Sequence, residues 1–423
     1  MSLSQVLLTG SLLLALAYLA GIAATTLFAA VRAGGRRDEP VDEWDAAAAS
    51  RLTMPVSVVV AAGDDPRTAA TLRLVQNLAY PEFEAIVVVD AGAVILPELA
   101  DEWRLEAREF FYRRRLDSAP VRRILRSQRD PRLVVVEKEA AGRSDALNCG
   151  VDLARYRFVA VLPPGLTFDS TALLRAMAPV IEDPVAVVGV ACQVERGGTD
   201  QWRSLHASFQ RLQSIRSLMF TRLFWRSQPH SITAGDRVTI WRRDAVIHAN
   251  GFRPNVLDPD LDMMLALQPA GVEHRRVIRS SEPFGQAETL SPAQAWVEAG
   301  RRQRASLEAF VSRLTSSSGS RGFLSEELIG PAVQVWVVAA PVVGAVAGWF
   351  SWAAAVSSVG VLSFGTAALS AAALLVRGAQ PLPPLTRGEL TRLLLLAPLE
   401  VVIHRPARVC ARLAAVVLRP PSN

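Results

Sequence analysis

Short, uninterrupted apolar runs recur through the middle of the chain. Residues 56–60 (VSVVV), 85–89 (AIVVV), 133–136 (LVVV), 158–162 (FVAVL) and 185–190 each form a block too short for a helix and apolar on both faces. Such blocks predict strands buried on both sides, as in a parallel sheet. Between them, residues 69–78 and 145–154 space their apolar positions as helices do. Strands alternating with helices predict an α/β domain with a mostly parallel sheet. Ligands in such sheets sit at the carboxyl ends of strands, which here carry Asp90 and Pro163. Residues 100–130, rich in arginine, read as an inserted pair of basic helices.

The ends of the chain follow a different pattern. Residues 5–31 carry no charge. About 26 residues at 1.5 Å rise reach roughly 39 Å, enough to cross a ~30 Å hydrocarbon core with tilt. Residues 331–376 are likewise uncharged, long enough for two helices, with Trp349, Phe350 and Trp352 near the middle where a hairpin tip meets the interface. Arginines follow both segments (Arg32, Arg36, Arg37; Arg377, Arg387, Arg392) and place the intervening domain and the C-terminus in the cytosol. The tail alternates apolar runs with Arg405, Arg408, Arg412 and Arg419, interrupted by Pro398 and Pro406. It reads as helices lying in the interface, with a short fourth span or a helix packed on the domain as alternatives. The predicted organisation is an anchor over 1–32, a polar linker over 33–52, an α/β domain over 53–325, a membrane hairpin over 328–376 and an amphipathic tail over 377–423, in a multi-pass protein of the inner membrane. Residues 202–226 predict one further helix, with an apolar stripe and five arginines on its other faces.

Composition agrees with a soluble domain joined to membrane segments. The 423 residues are 50% apolar and 20% charged, with a net charge of +6. Lys138 is the single lysine, so the positive charge is arginine. The basic residues are scattered and not interleaved with stacking aromatics, which argues against nucleic acid and suits an anionic lipid surface. Cys149, Cys192 and Cys410 lie far apart, neither a disulfide framework nor a metal set. Five isolated histidines suggest neither a zinc site nor a nucleophile–base pair.

Five stretches, in order, carry candidate chemistry: 58–65 (VVVAAGDD), 86–92 (IVVVDAG), 136–148 (VEKEAAGRSDALN), 231–252 (beginning SITAGDRVTIWRRDA and closing NGF) and 258–262 (DPDLD). Together they resemble family-2 glycosyltransferases of the GT-A fold, and within them the membrane-embedded branch of polysaccharide synthases (cellulose, chitin and poly-N-acetylglucosamine synthases). The third stretch carries the resemblance most specifically. The resemblance implies transfer of a sugar from a nucleotide sugar, such as a UDP-sugar, to a saccharide or lipid acceptor. It also implies membrane lipid and a partner subunit of polysaccharide synthesis as companions.

That reaction releases a diphosphate whose charge must be stabilised as the glycosidic bond breaks. The family uses a divalent metal (magnesium or manganese) held by Asp-x-Asp after the fourth strand. Here that place reads Pro163-Pro164-Gly165, without a carboxylate, and Asp169 lies about one helical turn onward. No metal ligand is therefore assigned. The resemblance assigns Asp90 and Asp64 (or Asp65) to the nucleoside, Arg143 to the diphosphate, Asp145 and Asn148 to the loop or sugar, and Asp260 to proton abstraction from the acceptor. Where the family has Gln-x-x-Arg-Trp the chain reads 298–302 (EAGRR), leaving Arg301 and Arg302 to meet phosphate. Each residue also has a structural reading: Asp145 and Asn148 as helix caps, Asp64 and Asp65 in a strand-to-helix turn, Asp258 as the N-cap before Pro259, Arg301 and Arg302 on a solvated helix. Two functional expectations follow. One is a transferase whose arginines replace the metal. The other is an inactive transferase-like subunit that scaffolds or regulates a polysaccharide-synthesis complex.

Overall fold

The computed structural model describes residues 53–109, 111–196, 204–224, 237–267, 276–280, 283–313, 330–357 and 386–417, with scattered positions over 6–24 and 360–374. The expected linker and most of the expected N-terminal anchor lie outside the described residues.

The domain is one mixed sheet between two helical layers. Its strands are β1 (Val56–Gly63), β2 (Phe83–Asp90), β3 (Leu105–Ala107), β4 (Val121–Ser127), β5 (Leu133–Lys138), β6 (Phe158–Leu162), β7 (Leu166–Thr167), β8 (Val187–Arg196), β9 (Arg237–Arg242), β10 (Arg276–Arg279) and β11 (Gly285–Ala287). They lie in the order β3-β4-β5-β2-β1-β6-β9-β8-β11-β7, with β10 beside β8. The centre, β5-β2-β1-β6, is parallel. All five expected strands are present there or in β8. The apolar blocks are buried on both faces because a helical layer covers each one.

One layer contains α1 (Thr68–Gln76), α2 (Ile95–Trp103) and α4 (Ala172–Glu182), and the other contains α3 (Arg143–Leu153), α6 (Arg243–His248), α7 (Pro259–Leu267) and α8 (Pro292–Arg313), with α5 (Leu205–Phe224) after β8. Helix α3 lies so close to the sheet that a Cβ on Gly150 would come within 2.4 Å of Val59 Cγ1. Glycine there is required by packing, which explains the NCG sequence inside a helix.

The expected helix pair over 100–130 is corrected. Apart from the end of α2, this segment forms the antiparallel strands β3 and β4, which extend the sheet past β5. Arg122, Arg123 and Arg126 interrupt β4 near the sheet edge, so the segment lacks the apolar run that marked the central strands.

After the domain come α9 (Gly330–Val346), α10 (Arg387–Leu399), a π-helical turn (Glu400–His404) and α11 (Arg405–Val417). Helix α9 ends in a turn over 347–350, with the Trp349 amide on Gly344 O at 2.7 Å, at the aromatic cluster expected for a hairpin tip. Among the described residues, no helix is long and apolar enough to cross a membrane. The tail runs helically through Pro398 and Pro406, with a π-helical turn between them. It packs on the domain, the bland alternative of the sequence reading. Arg211 of α5 meets Glu389 at 2.7 Å, Leu393 and Ala397 pack on Leu212 and Ile215, and Arg412 reaches Gln303 at 2.5 Å.

Candidate active-site crevice

Strand β1 has β2 on one side and β6 on the other, so the chain reverses its direction across the sheet between β1 and β6. The carboxyl ends on either side of that point form the crevice where open α/β sheets bind ligands. Around it lie Gly63, Asp64, Asp65, Asp90, Lys138 and the turn at 163–165. The β pairing sets their level: Val89 lies opposite Gly63, and Asp90 opposite Lys138.

Asp90 is half-buried at the end of β2, and a Cβ on Gly63 would lie 3.4 Å from its Oδ2. Its carboxylate accepts no hydrogen bond from a described residue. It stands at the carboxyl end of β2 as an available acceptor. Asp64 differs. Its Oδ1 accepts the Ile95 amide at 3.1 Å, tying β1 to the start of α2. Asp65 is bound bidentately by Arg67, whose Nε and Nη2 reach its oxygens at 3.0 and 2.6 Å. This fork holds the Asp65 carboxyl below its ordinary value, against an upward push from burial.

Arg143 and Asp260, assigned separate roles by the resemblance, form one ion pair: Arg143 Nη2 is 2.9 Å from Asp260 Oδ2. Thr239 of β9 donates to Asp260 Oδ1 at 2.6 Å. Asp260 is 5% exposed, and both its oxygens are engaged. Asp258 caps α7 through the Leu261 amide at 2.9 Å and also meets Arg237 at 2.9 Å, with Pro259 opening the helix as its sequence suggested.

Asp145 and Asn148 do not cap α3, whose N-cap is Gly142. Asp145 accepts the Ala119 amide at 2.7 Å and pairs with fully buried Lys138. Asn148 is a clamp: Nδ2 donates to Asp117 O at 3.2 Å and Phe252 O at 3.0 Å, and Oδ1 accepts the Phe252 amide at 2.8 Å. These two residues position the loops around the crevice. Arg301 and Arg302 both converge on Glu298, at 2.9 and 2.8 Å. Their spacing from Glu298, three and four residues along a helix, could have signalled this pairing.

The crevice does not fit a divalent cation. The turn at 163–165 contributes no carboxylate, and Asp169 is committed to Arg175 at 2.6 Å and to Thr171. Among the described residues no group of three His, Cys, Asp or Glu could hold a metal. A guanidinium lies against the turn instead: a Cβ on Gly165 would fall 2.9 Å from Arg67 Cδ and 3.0 Å from Nε and Nη1. The Gly165 amide donates to Thr71 Oγ1 at 2.9 Å, which fixes the turn on α1. Arg67, Thr71 and Thr239 were not singled out in the sequence. A basic residue two positions after an acidic pair at a strand end was the available signal for Arg67.

No family model matches the chain, and no curated protein does. Among solved structures, it is similar to the mannosyltransferase PcManGT from Pyrobaculum calidifontis, in complex with GDP-Man and Mn2+. The TM-score is 0.54 at 15% identity, over 95% of this chain and 99% of that one. The two chains share a fold. It is the GT-A fold expected from the sequence, a mixed α/β sheet. TarS 1–349 from S. aureus in complex with UDP-GlcNAc gives a TM-score of 0.41 at 12% identity, covering 86% of this chain and 92% of that one. Glucosyl-3-phosphoglycerate synthase from Mycobacterium tuberculosis, in complex with Mn2+, UDP and phosphoglyceric acid, gives 0.39 at 13% identity, covering 67% and 85%.

Proposed function

We propose that this chain binds a nucleotide sugar across the ends of β1, β2 and β6 and transfers the sugar to a saccharide or lipid acceptor without a divalent metal. The observation that carries this is Asp90: a carboxylate that accepts no hydrogen bond from a described residue, at the switch point of a GT-A sheet. It suits the hydroxyl and N–H donors of a nucleoside. In the transfer, the acceptor oxygen bonds to the anomeric carbon as the bond from that carbon to the diphosphate oxygen breaks. The diphosphate keeps the electron pair, and the acceptor proton passes to a carboxylate, for which Asp260 is the candidate. A UDP-sugar is the donor the sequence resemblance implies.

The test is equilibrium binding of UDP and GDP to the purified full chain in detergent, with and without manganese, beside Asp90→Ala. Binding by the wild type that falls at least about tenfold in the variant is expected from loss of a charge-assisted hydrogen bond. Absence of binding by both nucleotides would remove the reading.

A second reading is favoured by the Arg143–Asp260 pair, which commits the candidate base to two donors. On this reading the chain is an inactive transferase-like subunit that scaffolds or regulates polysaccharide synthesis. Nucleotide binding without donor turnover, across UDP- and GDP-sugars and oligosaccharide or lipid acceptors, would select it.

We further propose that the domain sits at the cytosolic face of the inner membrane, held by the 1–32 anchor, the 328–376 hairpin and the tail. The tail supports this. Its inner face packs on the domain, and Leu395, Leu399 and Ile403, four residues apart, are exposed. Alkaline carbonate washing of membranes should leave the full chain in the pellet, and release into the supernatant would refute the spanning segments.

A further inference from the structure

We infer that Arg67 is the phosphate-binding group of the crevice, and that this guanidinium carries the charge a divalent cation would otherwise supply. The inference deepens the proposed nucleotide-sugar reading and rests on it.

The placement comes first. Arg67 follows β1, and Gly165 follows β6, so the two flank the switch point from opposite strands. Gly165 has φ +79°, a left-handed conformation suited to glycine, and the space its side chain would take is where the guanidinium lies. The turn at 163–165 and Arg67 are therefore fitted to each other.

The geometry of the cation comes next. Asp65 holds Nε and Nη2, while Nη1 donates to no described residue. The Arg67 side chain remains 53% exposed. A guanidinium held by one edge is oriented in advance, and its free donors match the oxygens of a phosphate. Little side-chain freedom remains to be lost when an anion arrives.

Arg67 is also more exposed than Arg143 and Lys138, at 53% against 38% and 0%. Lys138 is fully buried against Asp145, Arg143 is paired with Asp260, and Arg301 and Arg302 share Glu298. Those are the arginines the sequence put forward for the diphosphate. A ligand with an anionic diphosphate fits the crevice, while its nucleoside end meets Asp90.

The experiment measures UDP, GDP, uridine and guanosine binding to the full chain in detergent by calorimetry. The wild type, Arg67→Ala and Arg67→Lys are compared, each with and without manganese. Arg67→Ala should weaken diphosphate binding about 10- to 100-fold. It should leave nucleoside binding unchanged, and Arg67→Lys should fall between. Manganese should leave wild-type affinity unchanged. The Arg67–Asp65 pair is exposed, so the variants should melt within a few degrees of the wild type. Diphosphate binding equal in Arg67→Ala and wild type would overturn this inference while leaving the nucleotide reading intact. Wild-type binding strengthened by manganese would also overturn it. If neither nucleotide binds the wild type, both fall together.

Discussion

Arg143 and Asp260, 117 residues apart in sequence, share an ion pair of 2.9 Å that joins the first turn of α3 to the first turn of α7. Asp260 is nearly inaccessible while Arg143 is partly exposed, so the two ends of the pair have unequal stakes. Removing the arginine leaves a buried carboxylate with one donor. Arg143→Ala should therefore cost about 1–3 kcal/mol in urea unfolding. Asp260→Asn keeps the volume and should cost less. A chain as stable without Arg143 as with it would show that the pair is not formed in solution.

The same pair separates the two functional readings. If Asp260 takes the acceptor proton, Asp260→Asn should lower donor turnover by about 100-fold or more with nucleotide affinity unchanged. If turnover is absent in the wild type as well, Asp260 serves only to join α7 to α3.

Asn148 joins three segments through its amide, and its hydrogen bonds are buried. Asn148→Ala should cost about 2–4 kcal/mol, because the Phe252 backbone groups lose their partner. The change should appear in the unfolding midpoint. Hydrogen exchange should rise at residues 116–118 and 250–252 before it rises in the strands. Uniform loss of protection would contradict the role of a local clamp.

Acid should destabilise the domain. The Arg67 fork holds Asp65 below its ordinary value. For Asp130, Glu137 and Glu298, burial pushes the carboxyl up, but Arg132, then Arg123 with the Gly92 amide, then Arg301 and Arg302 more than offset it. A depressed folded value contributes stability above the unfolded value, about 4, and loses it as pH falls through the folded one. Asp152 works in the opposite sense: burial raises it despite two backbone donors, so its contribution is lost as pH rises. Burial is likewise more than offset at Asp169, by Arg175 and Thr171, and at Glu389, by the Thr386 amide and Arg211, so most of the shifted carboxyls are held low. Melting temperature should hold from pH 7 to 5 and fall below about pH 4; a rise on acidification would contradict these pairings.

Thiol chemistry should single out one cysteine. Cys410 is exposed, whereas Cys149 and Cys192 are buried, and burial pushes the Cys149 thiol up to about 12. Under native conditions at pH 8, a maleimide should label Cys410 quickly and the other two only on unfolding. Fast labelling of the Cys410→Ser variant would show that the sheet opens around Cys149 or Cys192.

The amino-acid sequence by itself determined the central sheet. Residues 56–60, 85–89, 133–136 and 158–162 are apolar at every or nearly every position, and only a strand covered on both faces uses such a run. The order of the motifs was legible too, since each is a continuous stretch of sequence. That residues 163–165 offer no carboxylate was legible too, because they are two prolines and a glycine. Strands β3 and β4 were not, because β3 has only three residues and the adjacent Arg122 and Arg123 break the two-residue alternation of β4. Tertiary structure alone decided which charges distant in sequence meet. Nothing local relates Arg143 to Asp260, Asn148 to Phe252 or Arg67 to Gly165. Each contact depends on how helices and loops dock over the strand ends. A side chain on a short segment carries donors or acceptors but not the identity of its partner. The change in role of Arg143, and the arrival of Arg67 in the crevice, came from that docking.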